Sequence, residues 1–266
     1  MGVLELFSLR GKVALVTGGN RGIGFGMGKA LAEAGAVVAF SASREDTMAR
    51  GMADYRKAGL DAHGYVCDIR DEDAVRRVVA DIEKELGQLD ILVNNAGIIK
   101  RSPLHEMSTE DFREVVDINL VAQFVVAKAV IPGMLVRGGG KIINTCSVLS
   151  EAGRGMVGAY SAAKGGLRNL TKSIAAEYGD SGIYCNGIGP GFIATELTED
   201  LRYNPDGSPT PFDSFIRHRV PMGRWGATED LSGATVFLAS AASDYVNGHI
   251  LYVDGGLLGS LGKPQA

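Results

Sequence analysis

Short apolar, β-branched runs alternate with helical patterns along this chain, and that alternation leaves few folds open. The strand-like runs are 13–16, 37–40, 63–67, 90–94, 141–146, 184–189 and 249–253. Helical patterns fill 22–34, 45–58, 71–86, 109–136, 161–178 and 228–239, and Pro132 is expected to kink or end the fourth of these. Strands buried on both faces read as continuous apolar runs, as these do. Strict β–α alternation predicts a parallel sheet with right-handed crossovers and helices on both faces. The expectation is an α/β chain: a single, doubly wound domain over residues 1–266, with about seven parallel strands.

Composition narrows the function classes. Hydrophobic residues make up 45% of the 266 and charged ones 22%, an ordinary globular mix. A net charge of −4 argues against nucleic acid as a partner. The longest uncharged stretch, 181–195, is rich in Gly and polar groups, so no segment is expected to span a membrane. No signal peptide is visible, and the three cysteines show no CxxC spacing, which together point to a cytoplasmic, reducing compartment. The four histidines are not ligand-spaced, so no metal site is expected. Glycine is the outlier at 37 residues, without a collagen or linker pattern, and must serve turns and close backbone approaches.

The first predicted strand runs into Thr17-Gly18-Gly19-Asn20-Arg21-Gly22-Ile23-Gly24. Glycines at a strand-to-helix turn admit a pyrophosphate, and the following helix aims its free N–H groups at that anion. Gly18, Asn20, Arg21, Gly22, Ile23 and Gly24 are therefore candidate cofactor contacts, against the blander possibility of a tight turn that needs glycine. The second strand ends in Ser41-Ala42-Ser43-Arg44, without the acid that a bare adenine ribose calls for. Ser43 and Arg44, with Arg21 nearby, suit a ribose 2′-phosphate better. NADP(H) is the expected cofactor and NAD(H) the alternative.

Tyr160 and Lys164 are four apart on a predicted helix and share a face, a spacing that chance also produces. Their neighbourhood gives the pair weight. Ser147 follows a strand end and Asn119 lies in the long helical pattern, and strand ends converge on the crevice of such a sheet. A neighbouring ammonium lowers a phenol's pKa, so Tyr160 can exchange a proton with a carbinol, and Ser147 can hold the substrate oxygen. Arg101, just past the fourth strand, suits a substrate carboxylate or polyol; a solvent-exposed loop cation is its alternative reading. Residues 196–224, turn-forming around Asn204-Pro205-Asp206-Gly207, form a probable substrate lid after a strand end. Trp225 reads as a packing anchor at its hinge. Cys146 has no histidine placed to activate it and reads as a buried thiol.

With Thr17–Gly24, Asp68, Asn94-Asn95-Ala96-Gly97, Asn119, Ser147, Tyr160-Ser161-Ala162-Ala163-Lys164 and Pro190-Gly191 in that order, the chain resembles the short-chain dehydrogenase/reductase family over essentially its whole length. The resemblance implies a Rossmann-type sheet and a homotetramer. It implies Tyr160 as general acid/base, Lys164 on the nicotinamide ribose and depressing the tyrosine pKa, Ser147 orienting substrate, and Asn119 holding a relay water. Asp68 and Ile69 would face the adenine. Asn95, Ala96 and Gly97 would line the cofactor with Pro190 and Gly191, and Ile193 and Thr195 would close over it. Within the family, 94–101, 185–191, 224–226, 246–256 and the 206–213 stretch are similar to a sugar-acid branch. That likeness implies reversible oxidation of D-gluconate to 5-dehydro-D-gluconate with NADP(H). The rivals are a 2-dehydro-3-deoxy-gluconate 5-dehydrogenase, expected to favour NAD and an acid near Ala42, and a 3-oxoacyl-carrier reductase, expected to show a basic docking patch. From another class, a non-catalytic nucleotide-binding regulator would carry a damaged Asn–Ser–Tyr–Lys set, and this set is complete.

Overall fold

The computed structural model describes residues 2–262. Seven strands, β1 (Val13–Thr17), β2 (Val37–Ala42), β3 (Ala62–Val66), β4 (Leu89–Asn94), β5 (Gly140–Thr145), β6 (Ile183–Pro190) and β7 (Ile250–Val253), form one sheet in the order β3-β2-β1-β4-β5-β6-β7. Every neighbouring pair is parallel. The chain winds outward from β1 to β3, then restarts at β4 on the other side of β1. Between β1 and β4 the winding reverses, and the crevice beyond those strand ends is where such sheets take ligands.

Nine helices, α1 (Gly22–Glu33), α2 (Glu45–Lys57), α3 (Glu72–Glu85), α4 (Thr109–Val116), α5 (Ala122–Arg137), α6 (Gly158–Tyr178), α7 (Glu199–Arg202), α8 (Pro211–Arg219) and α9 (Ser232–Ala239), occur among the described residues. Successive residues of a strand point to opposite faces. Val13 and Leu15 accordingly pack with Val79, Val126, Ile131 and Ile174 from α3, α5 and α6. Ala14 and Val16 pack on the other face with Met27, Leu31, Tyr55, Leu231 and Leu238, mostly from α1, α2 and α9. Two buried cores, one per face, make the strands mostly apolar, with Ser41, Asn94, Asn144 and Asn186 among the buried polar exceptions.

Three expectations change. Pro132 lies inside α5 without ending it, and the helix runs on to Arg137, where Gly138 turns left-handed at φ 75°. The run 109–137 is also long and apolar enough by composition to cross a membrane, against the expectation that no segment was. Its apolar face is taken by the core, where Val126, Ala127, Val130 and Met134 are buried. The 196–224 segment is more ordered than its turn chemistry suggests. It folds as a helical turn with α7, a Tyr203–Pro209 bridge, and α8. Ile216, Val220 and Trp225 give it a small core of its own with Phe192, Leu201 and Phe212.

Candidate active site

A cleft of about 500 Å³ opens at the strand ends beside the β1/β4 reversal. Its floor is backbone. Gly18 takes φ +63°, a conformation side-chain-bearing residues avoid. A Cβ on Gly24 would stand 2.3 Å from the Gly18 carbonyl and 2.4 Å from Asn95 Nδ2. Asn95 explains that tightness, because its Nδ2 donates to the carbonyls of Thr17 (3.0 Å) and Gly18 (3.2 Å). The Thr17 hydroxyl accepts in turn from the backbone N–H groups of Asn95 (2.9 Å) and Ala96 (3.1 Å). The Asn-Asn-Ala-Gly turn thus fastens the glycine loop to β4, and α1 starts at Gly22 with its first N–H groups free for an anion. Only glycine at position 24 lets the loop pack this closely, and the uncapped start of α1 suits a pyrophosphate.

Of the candidate cofactor contacts, Asn20, Arg21, Gly22, Ile23, Ser43, Arg44, Asp68, Ile69, Asn95, Ala96, Gly97, Gly191, Ile193 and Thr195 all line the cleft. Pro190 does not. It is buried at the last rung of β6, opposite Val253, and the chain turns into the cleft only at Gly191. Arg44 is exposed at the start of α2 and pairs with Asp46 at 3.0 Å. Asp68 is held by Arg70 at 2.6 Å, which keeps its carboxyl below the usual range.

The reacting groups meet at the other end. Asn119 is fully buried where the helix between α4 and α5 widens by one residue, closing on a bond from the Ala122 N–H to the Asp117 carbonyl. That wider turn is the kind of helix irregularity found at functional sites. The Asn119 Nδ2 donates to the carbonyls of Ile98 (2.8 Å) and Val115 (2.9 Å). Its Oδ1 is buried without a partner and demands a donor such as a water. A Cβ on Gly97 would lie 2.5 Å from that oxygen, so glycine there keeps the spot open. Ser147 and Lys164 are buried, and the Lys164 ammonium donates to the Thr145 carbonyl at 2.6 Å. It stands 5.6 Å from the centre of the Tyr160 ring.

Burial, not Lys164, dominates the tyrosine in the ligand-free chain. It pushes the Tyr160 phenol up to about 12, with hydrogen bonding from Ser147 pulling the other way. The same burial pulls Lys164 down to about 8, so it is mostly charged at neutral pH. Cys146 is buried and its thiol is pushed up, which fits a packing role.

Residues 18–258, nearly the whole chain, match the family model described as enoyl-(acyl carrier protein) reductase. The chain belongs to the short-chain dehydrogenase/reductase family. It is an oxidoreductase acting on a CH–OH group. It is 50% identical over 98% of both chains to 2-dehydro-3-deoxy-D-gluconate 5-dehydrogenase of Formosa agariphila. A structure of 2-keto-3-deoxy-D-gluconate dehydrogenase from Streptococcus agalactiae is 56% identical, with a TM-score of 0.82, covering 95% of this chain and 96% of that one. A gluconate 5-dehydrogenase from Burkholderia cenocepacia, in complex with NADP and tartrate, is 42% identical with a TM-score of 0.91, covering 98% of this chain and all of the other.

The sequence reading of this dehydrogenase/reductase missed part of the substrate end. Leu197, Thr198 and Leu201 of the expected lid segment line the cleft beside Arg101, Ser147 and Tyr160, and so do Arg154 and Phe192, which the sequence did not single out. No motif marks them. Arg154 lies in the 151–157 loop and Phe192 just past β6, and only the fold carries both to Tyr160. Arg70 was missed at the cofactor end, although its place two residues after Asp68 was a signal.

Proposed function

We propose that the chain interconverts D-gluconate and 5-dehydro-D-gluconate with NADP(H), Tyr160 moving the proton. The observation that carries the reading is the convergence of Asn119, Ser147, Tyr160 and Lys164 on one cleft that also holds Arg101. Ser43 and Arg44 follow the end of β2, where no acid stands between Ser41 and Arg44 to take a bare ribose, and this supports NADP over NAD. The likeness to the NADP-bound Burkholderia gluconate 5-dehydrogenase supports both cofactor and substrate.

A nicotinamide dinucleotide bound along the cleft supplies the hydride donor or acceptor. The chain's own residues do the rest. The Ser147 hydroxyl donates to the C5 oxygen and fixes it beside Tyr160. In the reducing direction the Tyr160 phenol gives that oxygen its proton, and the phenolate left behind is stabilised by the Lys164 ammonium. A water on Asn119 Oδ1 relays the replacement proton. In the oxidising direction each transfer runs backwards. Arg101 takes the carboxylate end, and residues 196–224, with their own small core, close over the substrate as a lid. The enzyme works in the cytoplasm as a homotetramer.

A second reading, 2-dehydro-3-deoxy-D-gluconate as substrate, is favoured by the 50% and 56% identities to dehydrogenases of that acid. Both acids are oxidised at C5 and carry a carboxylate, so the residues above serve either. Initial rates on the two acids, each with NADP+ and NAD+, separate them. The expected result is faster turnover of D-gluconate with a strong NADP preference. Faster turnover of the 3-deoxy acid moves the assignment to the second reading. Turnover of neutral ketones or β-ketoacyl esters, but of no sugar acid, overturns both.

A further inference from the structure

Two arginines face each other at the substrate end, and only one of them was legible beforehand. Arg154 lines the cleft with Arg101, Ser147 and Tyr160. It is half-buried, and its guanidinium lies 5.6 Å from the ring centres of both Phe192 and Phe212. The cofactor-end arginines Arg44 and Arg70 each hold a carboxylate, whereas Arg154 makes no ion pair or side-chain hydrogen bond among the described residues. Burial and the nearby Arg101 charge both work against its own charge, and only Tyr160 favours it. A half-buried cation facing a second cation is unfavourable until an anion arrives between them.

The surrounding backbone holds this arrangement. The Ser102 N–H donates to the Met156 carbonyl at 2.9 Å, stitching the loop of Arg101 to the loop of Arg154. Met156 takes φ 70°, a left-handed conformation that a non-glycine residue keeps only when its surroundings enforce it. Cation–π contact with the two rings uses none of the guanidinium N–H groups, which are left for a planar, two-oxygen acceptor.

We propose that Arg154 is the second arm of a carboxylate clamp, taking the carboxylate of the sugar acid together with Arg101 while Phe192 and Phe212 hold its guanidinium in place. The proposal rests on the sugar-acid reading above. It also ties the 196–224 segment to the substrate, because Phe212 belongs to α8 of that segment.

The test compares D-gluconate with D-gluconamide, the same polyol with a neutral amide. Wild-type enzyme is expected to prefer the acid. Arg154→Gln is expected to raise the KM for D-gluconate at least tenfold, with a smaller change in kcat. The KM for NADP+ should stay within twofold, and the acid-over-amide ratio of kcat/KM should fall towards one. Tartrate, as a competitive inhibitor, should weaken by a similar factor. Equal losses for acid and amide, or an unchanged KM for the acid, overturn the clamp. Should Arg154→Gln fail to bind NADPH, Arg154→Lys carries the test. It keeps the charge without the planar fork, so a smaller acid-specific rise in KM is expected, and no rise overturns the proposal. A wild-type enzyme without preference for the acid overturns the sugar-acid reading and the clamp together. A preference that survives the substitutions overturns the clamp alone.

Discussion

The two ends of the cleft are built from different material. The cofactor end is backbone held at contact distance, with Gly18, Gly24, Asn95 and Thr17 locked in one hydrogen-bonded knot. The substrate end is side chains on loops, with an exposed Arg101 and a half-buried Arg154 lining it and an aromatic cluster of Phe192, Phe212 and Trp225 beside Arg154. The first arrangement admits almost no change, because there is no room for a Cβ. The second can be altered one side chain at a time, as an enzyme family that keeps its cofactor and changes its substrates requires.

The difference can be broken from the cofactor end first. Gly24→Val places a branched side chain against the Gly18 carbonyl, so NADPH affinity is expected to fall at least ~100-fold, the loss of two or more charge-assisted hydrogen bonds to phosphate. Fluorescence titration with NADPH checks it, and an unchanged Kd removes the phosphate-cradle assignment. Arg44→Ser has a narrower target. It should weaken NADPH by about 10- to 100-fold, the range of one charged hydrogen bond, and leave NADH nearly unaffected. Equal losses for both cofactors would return Arg44 to the surface of α2, where it pairs with Asp46.

At the substrate end the expected effects are smaller and fall on KM. Trp225 is buried against Phe192 and Phe212, and truncating a buried tryptophan costs about 3–5 kcal/mol where it packs. That core belongs to the 196–224 segment and not to the sheet. Trp225→Ala should therefore loosen the segment, raising the KM for the sugar acid roughly tenfold by that local loss, with NADPH binding little changed. Equal weakening of both ligands would mean the two ends are one cooperative unit.

Lys164 gives an effect on stability rather than on binding, with a sign to check. Its folded value near 8 lies below the ordinary 10.5, so the unfolded chain binds the extra proton between those limits. Its burial therefore makes the ligand-free protein less stable below about pH 8, and the penalty is relieved as pH rises towards 10.5. Urea midpoints at pH 7.5 and 9.5 should show that rise in wild type, worth about 2 kcal/mol, and lose it in Lys164→Met. Reduction should decline above about pH 8 as Lys164 sheds its charge, and an unchanged profile would separate Lys164 from the proton relay.

The same contrast decides what the sequence made legible. The strands and the glycine loop could be read directly, because local hydrophobic pattern and close backbone approach leave marks at fixed spacing, whereas the Asn119–Ser147–Tyr160–Lys164 set drew its weight from the family resemblance. Of the two outcomes open at Pro132, an end to the helix is excluded, because α5 continues through it. The wider turn at Asn119 left no mark, since its cause is the buried hydrogen bonds to Ile98 and Val115. Arg154 and Phe192 had none either. They lie far apart in sequence from Arg101 and meet it only because α6 and β6 end at the same cleft. The 196–224 segment read as loop because its Asn, Pro and Gly residues cluster at 204–211, while Ile216 and Val220 are too few to show a helical period.

The account turns on Tyr160 as the proton carrier of a cleft whose cofactor end stands independently. Tyr160→Phe removes one oxygen and leaves the glycine knot untouched. Turnover of the sugar acid should drop by about a thousandfold or more, in the upper range for general acid–base catalysis, while the Kd for NADPH stays within twofold of wild type. Retained turnover would contradict the relay outright. A parallel loss of NADPH binding would contradict the separation of the two ends.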